Sequence, residues 1–155
     1  METVHRFRCD HALLADGVRG GVRLTVADGV IARVEESVAA PGDVQLRGLV
    51  LPGMANVHSH AFQRAMAGLA EWDAGGSDNF WSWREAMYAV AGRIDPDSLQ
   101  AIAAHLYAEM LCAGYTAVCE FHYVHHQPDG TPYAPASAMS QALLAAAAET
   151  GIGLT

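Results

Sequence analysis

The sequence predicts an α/β chain in two parts. Residues 1–48 read as a small all-β element, and residues 49–155 as an alternation of strands and helices with a parallel sheet. Three observations carry this reading. Short β-rich runs broken by Asp-Gly and Pro-Gly pairs fill the first part. One long stretch in the second part keeps an unbroken helical period. Short apolar runs precede and follow the helical stretches.

In the first part, residues 22–26 (Val-Arg-Leu-Thr-Val) alternate apolar and polar, as a half-buried strand does. Asp28 and Gly29 follow, then a second β-rich run at residues 30–34, which together predict a hairpin. Pro41-Gly42 marks another turn. From Gly48 the pattern changes. Leu49, Val50 and Leu51 form a short apolar run leading into Pro52-Gly53, and residues 54–57 lead into His58. Residues 61–71 allow a helical turn or two, and residues 75–78 (Gly-Gly-Ser-Asp) read as a flexible loop.

Residues 80–91 look helical, with Trp81 and Trp83 near the start. Residues 96–113 give the clearest helix. Asp95 can cap it, and Pro96 fits a first turn where its missing N–H costs nothing. Leu99, Ile102, Ala103, Leu106, Tyr107 and Met110 fall on one face, and Gly114 ends the helix. Residues 115–121 predict a buried strand. After a Pro-rich polar loop, residues 137–150 predict a second long helix closed by Gly151. Residues 152–155 look like the opening of a strand, which suggests a chain cut within a larger fold. The length of 155 residues is too short for a complete (β/α)₈ barrel, which needs at least ~200 residues.

The chain carries 9 basic and 17 acidic residues, for a net charge of −8. All the bases are Arg and none follows Arg93. This balance argues against a nucleic-acid partner, which needs a basic footprint. The first twenty residues lack the apolar core of a secretory signal, and no apolar run is long enough to span a membrane. Cys9, Cys112 and Cys119 are odd in number and lack metal-cluster spacing, so buried, reduced thiols in a cytoplasmic protein are expected.

The sharpest motif is His58-Ser59-His60. Histidines two apart on a strand project to one face, so their imidazoles can converge on a cation such as Zn²⁺. A bare His-x-His also suits two surface or hydrogen-bonded histidines. The preceding apolar strand and Pro-Gly turn shift the reading towards metal.

Residues 51–60 (Leu-Pro-Gly-Met-Ala-Asn-Val-His-Ser-His) resemble the first barrel strand of the amidohydrolase superfamily. Its members are distorted TIM-barrel hydrolases with a small β-sandwich built partly from the N-terminus. More narrowly, residues 58–68, 80–88 and 120–126 are similar to the formimidoylglutamate deiminases. The resemblance implies an N-terminal part of a β-sandwich over residues 1–48. It implies the first βα units of a barrel over residues 49–155, truncated in the third strand. It covers about the first third of a typical member.

In that family the matching histidines bind one catalytic Zn²⁺, so His58 and His60 inherit the metal role. The implied reaction is hydrolysis of N-formimino-L-glutamate to N-formyl-L-glutamate and ammonia, in histidine degradation. The general acid/base and remaining ligands lie on later strands, so no catalytic residue is assigned within this chain. For the substrate's carboxylates the resemblance points to Gln63, Arg84 and Tyr123. A guanidinium holds a carboxylate bidentately, and an amide or phenol can donate to one. His122, His125 and His126 form a second cluster, for which a structural or loop role is expected. Trp81 and Trp83 could line a lid, with helix packing the simpler role. A full-length homodimer is compatible with this reading. Two other readings remain: a superfamily deaminase acting on a purine or pyrimidine, and a non-catalytic remnant. The segment alone is expected to be inactive and poorly soluble.

Overall fold

The computed structural model describes residues 3–69 and 79–155, so the loop expected at residues 75–78 lies outside the described residues. The chain divides into two compact units, residues 1–52 and residues 53–155.

In residues 1–52 the strands are β1 (Val4–Leu14), β2 (Gly17–Ala27), β3 (Val30–Glu36) and β4 (Val44–Val50). They form one sheet in the order β3-β2-β1-β4, antiparallel except where β4 lies parallel to β1. The Asp28-Gly29 signal is a two-residue hairpin turn. Both residues have positive φ, 47° and 81°, as a turn matching the strand twist requires, and Ala27 faces Val30 across it. The Pro41-Gly42 turn is held by Asp43. Its carboxylate accepts from the Ala40 N–H at 2.9 Å and from the Arg23 guanidinium at 2.8 and 3.1 Å. These bonds, Arg23 first, hold the Asp43 carboxyl below its ordinary range. The buried core is small: Cys9, Ala12 and Val22, packed by Leu14, Leu24, Leu46 and Val50.

The apolar run at Leu49 does not open the second unit. Leu49 and Val50 pair with His11 and Ala12 as the end of β4. Backbone register decides this, and Leu49 and Leu51 are more than half exposed.

In residues 53–155 the order is β5 (Met54–Ser59), a 3-10 helix (Ala61–Met66), α1 (Phe80–Ala91), α2 (Pro96–Cys112), β6 (Tyr115–Glu120), α3 (Ala138–Thr150) and β7 (Gly153–Leu154). The strands lie parallel in the order β5-β6-β7, so helical crossovers join each neighbouring pair. Gly53 permits the entry into β5. A Cβ there would strike the Thr116 side chain of β6.

Helix α2 follows its sequence pattern. Asp95 accepts from the Ser98 N–H at 2.8 Å, and the Ser98 hydroxyl accepts from the Asp95 N–H at 2.9 Å. Leu99, Ala103 and Tyr107 are buried on its inner face, with Ile102, Leu106 and Met110 partly buried beside them. Met139, Leu143 and Ala146 of α3 and Val118 of β6 complete this core. Gly151 ends α3 at φ 82°.

Two expectations of burial need correction. Within β6 only Val118 is buried, while Thr116 and Cys119 are exposed. Val118 packs into the helix core, while Thr116, on the same face, and Cys119, on the other, stay uncovered among the described residues. Of the three thiols, Cys9 is buried but Cys112 and Cys119 are exposed. Cys112 lies at the last turn of α2, and Cys119 alternates outward from Val118. No helix among the described residues is long and apolar enough to cross a membrane.

Candidate metal centre

Strand periodicity sets the geometry of the His-x-His motif. His58 lies in β5 and His60 one residue past its end. Their Nε2 atoms are 3.1 Å apart, with ring centroids 4.9 Å apart and planes at 79°. Two nitrogens each about 2 Å from one tetrahedral zinc would lie roughly 3.3 Å apart, so the pair fits a shared ion. Nδ1 of His60 lies 3.0 Å from the Phe121 carbonyl oxygen. That oxygen can only accept, so Nδ1 carries the proton and Nε2 offers its lone pair. The His58 N–H donates to Asn56 Oδ1 at 3.1 Å, fixing the backbone before the motif.

Both histidines line a cavity of 490 Å³ with Val57, Cys119, Glu120 and Phe121. Among the described residues no group of three or more His, Cys, Asp or Glu converges to hold an ion. The pair therefore offers two donors of a tetrahedral set.

Tyr123 stands beside this pair. Its ring centroid is 5.2 Å from that of His60 and 5.2 Å from that of Phe62. Gln63 Nε2 donates to the Tyr123 hydroxyl at 2.8 Å, and that hydroxyl donates to Met87 Sδ at 3.7 Å. Thus His58, His60, Gln63 and Tyr123 come together by direct contact. Arg84 lies one turn before Met87 on α1. Its guanidinium lies over Trp81 at 5.6 Å and Tyr88 at 5.2 Å, and donates to the Tyr88 hydroxyl at 3.2 Å. Arg84 is linked to the others through α1 rather than by a described contact of its own.

Trp81 is 64% exposed and lies against Arg84 and Phe80, so packing into a core is not its role among the described residues. Trp83 is partly buried. Rings of His122 and His125 meet edge-on at 4.5 Å. Burial, with His125 adding to it, pushes the His122 pKa down to about 4. His122 Nε2 is buried without a hydrogen-bond partner among the described residues.

Sequence reasoning missed two residues. Met87 offers its sulfur as a weak acceptor to Gln63 at 3.9 Å and to Tyr123 at 3.7 Å, and its place three after Arg84 on a helix was the available signal. Glu120 accepts the Ala61 N–H at 2.6 Å. The signal there was an acid closing an otherwise apolar strand.

Comparison with known proteins bears on the family and the fold. The "Amidohydrolase family" model matches residues 49–155, and the model "Formimidoylglutamate deiminase HutF, N-terminal domain" matches residues 1–47. A formimidoylglutamate deiminase of Pseudomonas aeruginosa is 52% identical over 147 residues, covering 94% of this chain and 32% of that protein. The crystal structure of an amidohydrolase from Brucella melitensis superposes with a TM-score of 0.92 at 50% identity, over 97% of this chain and 34% of that one. The zinc complex of atrazine chlorohydrolase TrzN from Arthrobacter aurescens TC1 shares the fold, with a TM-score of 0.72 at 21% identity, over 96% of this chain and 34% of that one. The chain spans about a third of the length of these relatives.

Proposed function

The chain belongs to the amidohydrolase family, and from that premise we propose that the full-length protein is a zinc-dependent deiminase. Its substrate is N-formimino-L-glutamate and its products are N-formyl-L-glutamate and ammonia, within histidine degradation. The observation that supports this most is the convergence of the His58 and His60 Nε2 atoms beside the Gln63–Tyr123 pair. The 52% identity to a formimidoylglutamate deiminase supports the choice of substrate.

His58 and His60 would hold the ion, with further ligands from the part of the relatives' length that this chain does not span. Zinc bound there supplies Lewis acidity, bringing the pKa of a coordinated water to roughly 7. The Phe121 carbonyl keeps His60 in the tautomer that can ligate. Gln63 and Tyr123 donate to one substrate carboxylate. Arg84, oriented by Trp81 and Tyr88, takes another bidentately. Net, water adds across the C=N bond and ammonia leaves, so the formimino carbon becomes a formyl carbon. The 155-residue chain alone is inactive in this reading, because two imidazoles do not complete a tetrahedral site.

The test is ammonia release from formiminoglutamate by the full-length protein. His58→Ala should reduce it to background, and full activity in that variant overturns the metal assignment. Arg84→Met should raise KM. An unchanged KM would transfer the reading to a purine or pyrimidine deaminase, whose substrate needs no carboxylate clamp.

A further inference from the structure

The C-terminal ends of β5 and β6 are held together by more than their ladder. Pairing slips between Asn56 and Ser59, and past Ser59 the chain turns into the 3-10 helix at Ala61. Two residues of the β6 end catch it there. The Phe121 N–H donates to the Ser59 carbonyl at 2.9 Å, and the Phe121 carbonyl accepts from His60 Nδ1 at 3.0 Å. Glu120 Oε1 accepts from the Ala61 N–H at 2.6 Å. His60 is thus bracketed: the residue before it, its own ring and the residue after it are all tied to Glu120 and Phe121.

The Ala61 N–H opens a helix, so it has no partner within that helix, and Ala61 is fully buried. Without Glu120 this donor would be a buried orphan, and the backbone would have to turn to satisfy it. Such a turn would carry the His60 Cα, and hence its ring, away from His58.

We infer that Glu120 is a positioning residue that sets the direction of the His60 imidazole, and so the Nε2–Nε2 spacing, by holding the Ala61 backbone. The inference rests on the metal reading of His58 and His60. Other roles for Glu120 fit less well. Although Glu120 lines the cavity, its Oε1 is engaged by the Ala61 N–H and its Oε2 is buried, so neither oxygen is open to solvent. No third ligating side chain joins the histidine pair among the described residues. The Tyr107 hydroxyl is another buried polar group without a hydrogen-bond partner among the described residues, and burial first, then the Glu120 charge, push its pKa up, so it stays protonated.

The test uses the full-length protein, with Zn²⁺ as the probe and a competing chelator to measure affinity. Glu120→Ala should weaken zinc binding by roughly 10–100-fold. Glu120→Gln keeps a carbonyl acceptor at the same reach and should stay within about threefold of the unaltered protein. In the metal-free protein, ¹⁵N shifts of the His60 ring should show the Nδ1–H tautomer in the unaltered protein and the glutamine variant, and a mixture in the alanine variant. Unchanged zinc affinity in Glu120→Ala overturns the inference. So does a glutamine variant as weak as the alanine one, because charge and not backbone capture would then be the cause. If the unaltered protein binds no zinc, the metal reading fails instead, and the metal-free ring shifts still decide the positioning role. If Glu120→Ala does not fold, amide exchange at Ala61 in the unaltered protein decides it. Slow exchange supports the capture, and exchange at the rate of an open loop overturns it.

Discussion

His58 and His60 sit two residues apart at the end of β5, with Nε2 atoms 3.1 Å apart beside a 490 Å³ cavity. His122 and His125 sit three apart in the segment after β6, with rings 4.5 Å apart. Ring separation hardly distinguishes the pairs, since the first stands at 4.9 Å. What differs is the nitrogen each pair presents. His60 has its Nδ1–H fixed by a carbonyl and turns Nε2 towards a second Nε2. His122 turns Nε2 into the protein, where it is buried without a partner among the described residues. Ring proximity alone therefore does not tell which nitrogen a histidine pair offers. The orienting hydrogen bond and the open approach carry the information.

The largest expected effect removes a ligand from the first pair. His60→Asn in the full-length protein should lower bound zinc from one per chain to below about a tenth, read by elemental analysis after dialysis. His125→Asn should leave zinc content unchanged. Loss of zinc in both variants would erase the distinction between the pairs and make the second pair part of the centre.

A pH titration probes the second pair by itself. The His122 pKa is about 4 in the folded protein against an ordinary 6.5, because burial disfavours the charged ring. Between those values the unfolded chain binds more protons than the folded one, so stability falls as pH falls. The contribution is complete above about pH 6.5 and disappears as pH drops through about 4. His122→Gln should therefore lose less Tm than the unaltered protein between pH 7 and pH 4.5, with parallel curves above pH 7. Identical slopes would show that the His122 ring is solvated. Asp43 and Asp95 have carboxyls already held below 3.8, so their loss of stability comes at lower pH and does not overlap.

Much of the fold was legible because local signals agreed with one another. The residues at 80–91 and the face built on Leu99, Ala103 and Tyr107 needed only helical spacing and caps, and Asp28-Gly29 needed only turn chemistry. The strand at Leu49 was misplaced because an apolar run does not reveal its partner. Register against β1, a contact between residues nearly forty positions apart, decided it. The same limit applies at the site. The His-x-His spacing announced convergent rings, and the resemblance supplied Gln63, Arg84 and Tyr123. Glu120 and Met87 act through contacts 59 and 36 residues away in sequence, to Ala61 and Tyr123, and no local pattern encodes those.

The smallest effect concerns how loosely the neighbours of the first pair are held. Tyr123 donates its hydroxyl to Met87 Sδ at 3.7 Å, and Gln63 reaches the same sulfur at 3.9 Å. A thioether is a weak acceptor, so a carboxylate arriving at Tyr123 would displace it readily. The parked hydroxyl contrasts with the Nδ1–H of His60, which is tied to a carbonyl and has no reason to move. Met87→Leu keeps the volume and removes only the acceptor. Zinc content should stay at the unaltered level, and KM for formiminoglutamate should change by less than about threefold, because the lost bond is weak. A tenfold or larger rise in KM would mean that Met87 holds Tyr123 in its working position. The sulfur would then belong with the Phe121 carbonyl as an orienting partner, and the contrast between the carbonyl-tied His60 ring and the weakly held Tyr123 hydroxyl would fail.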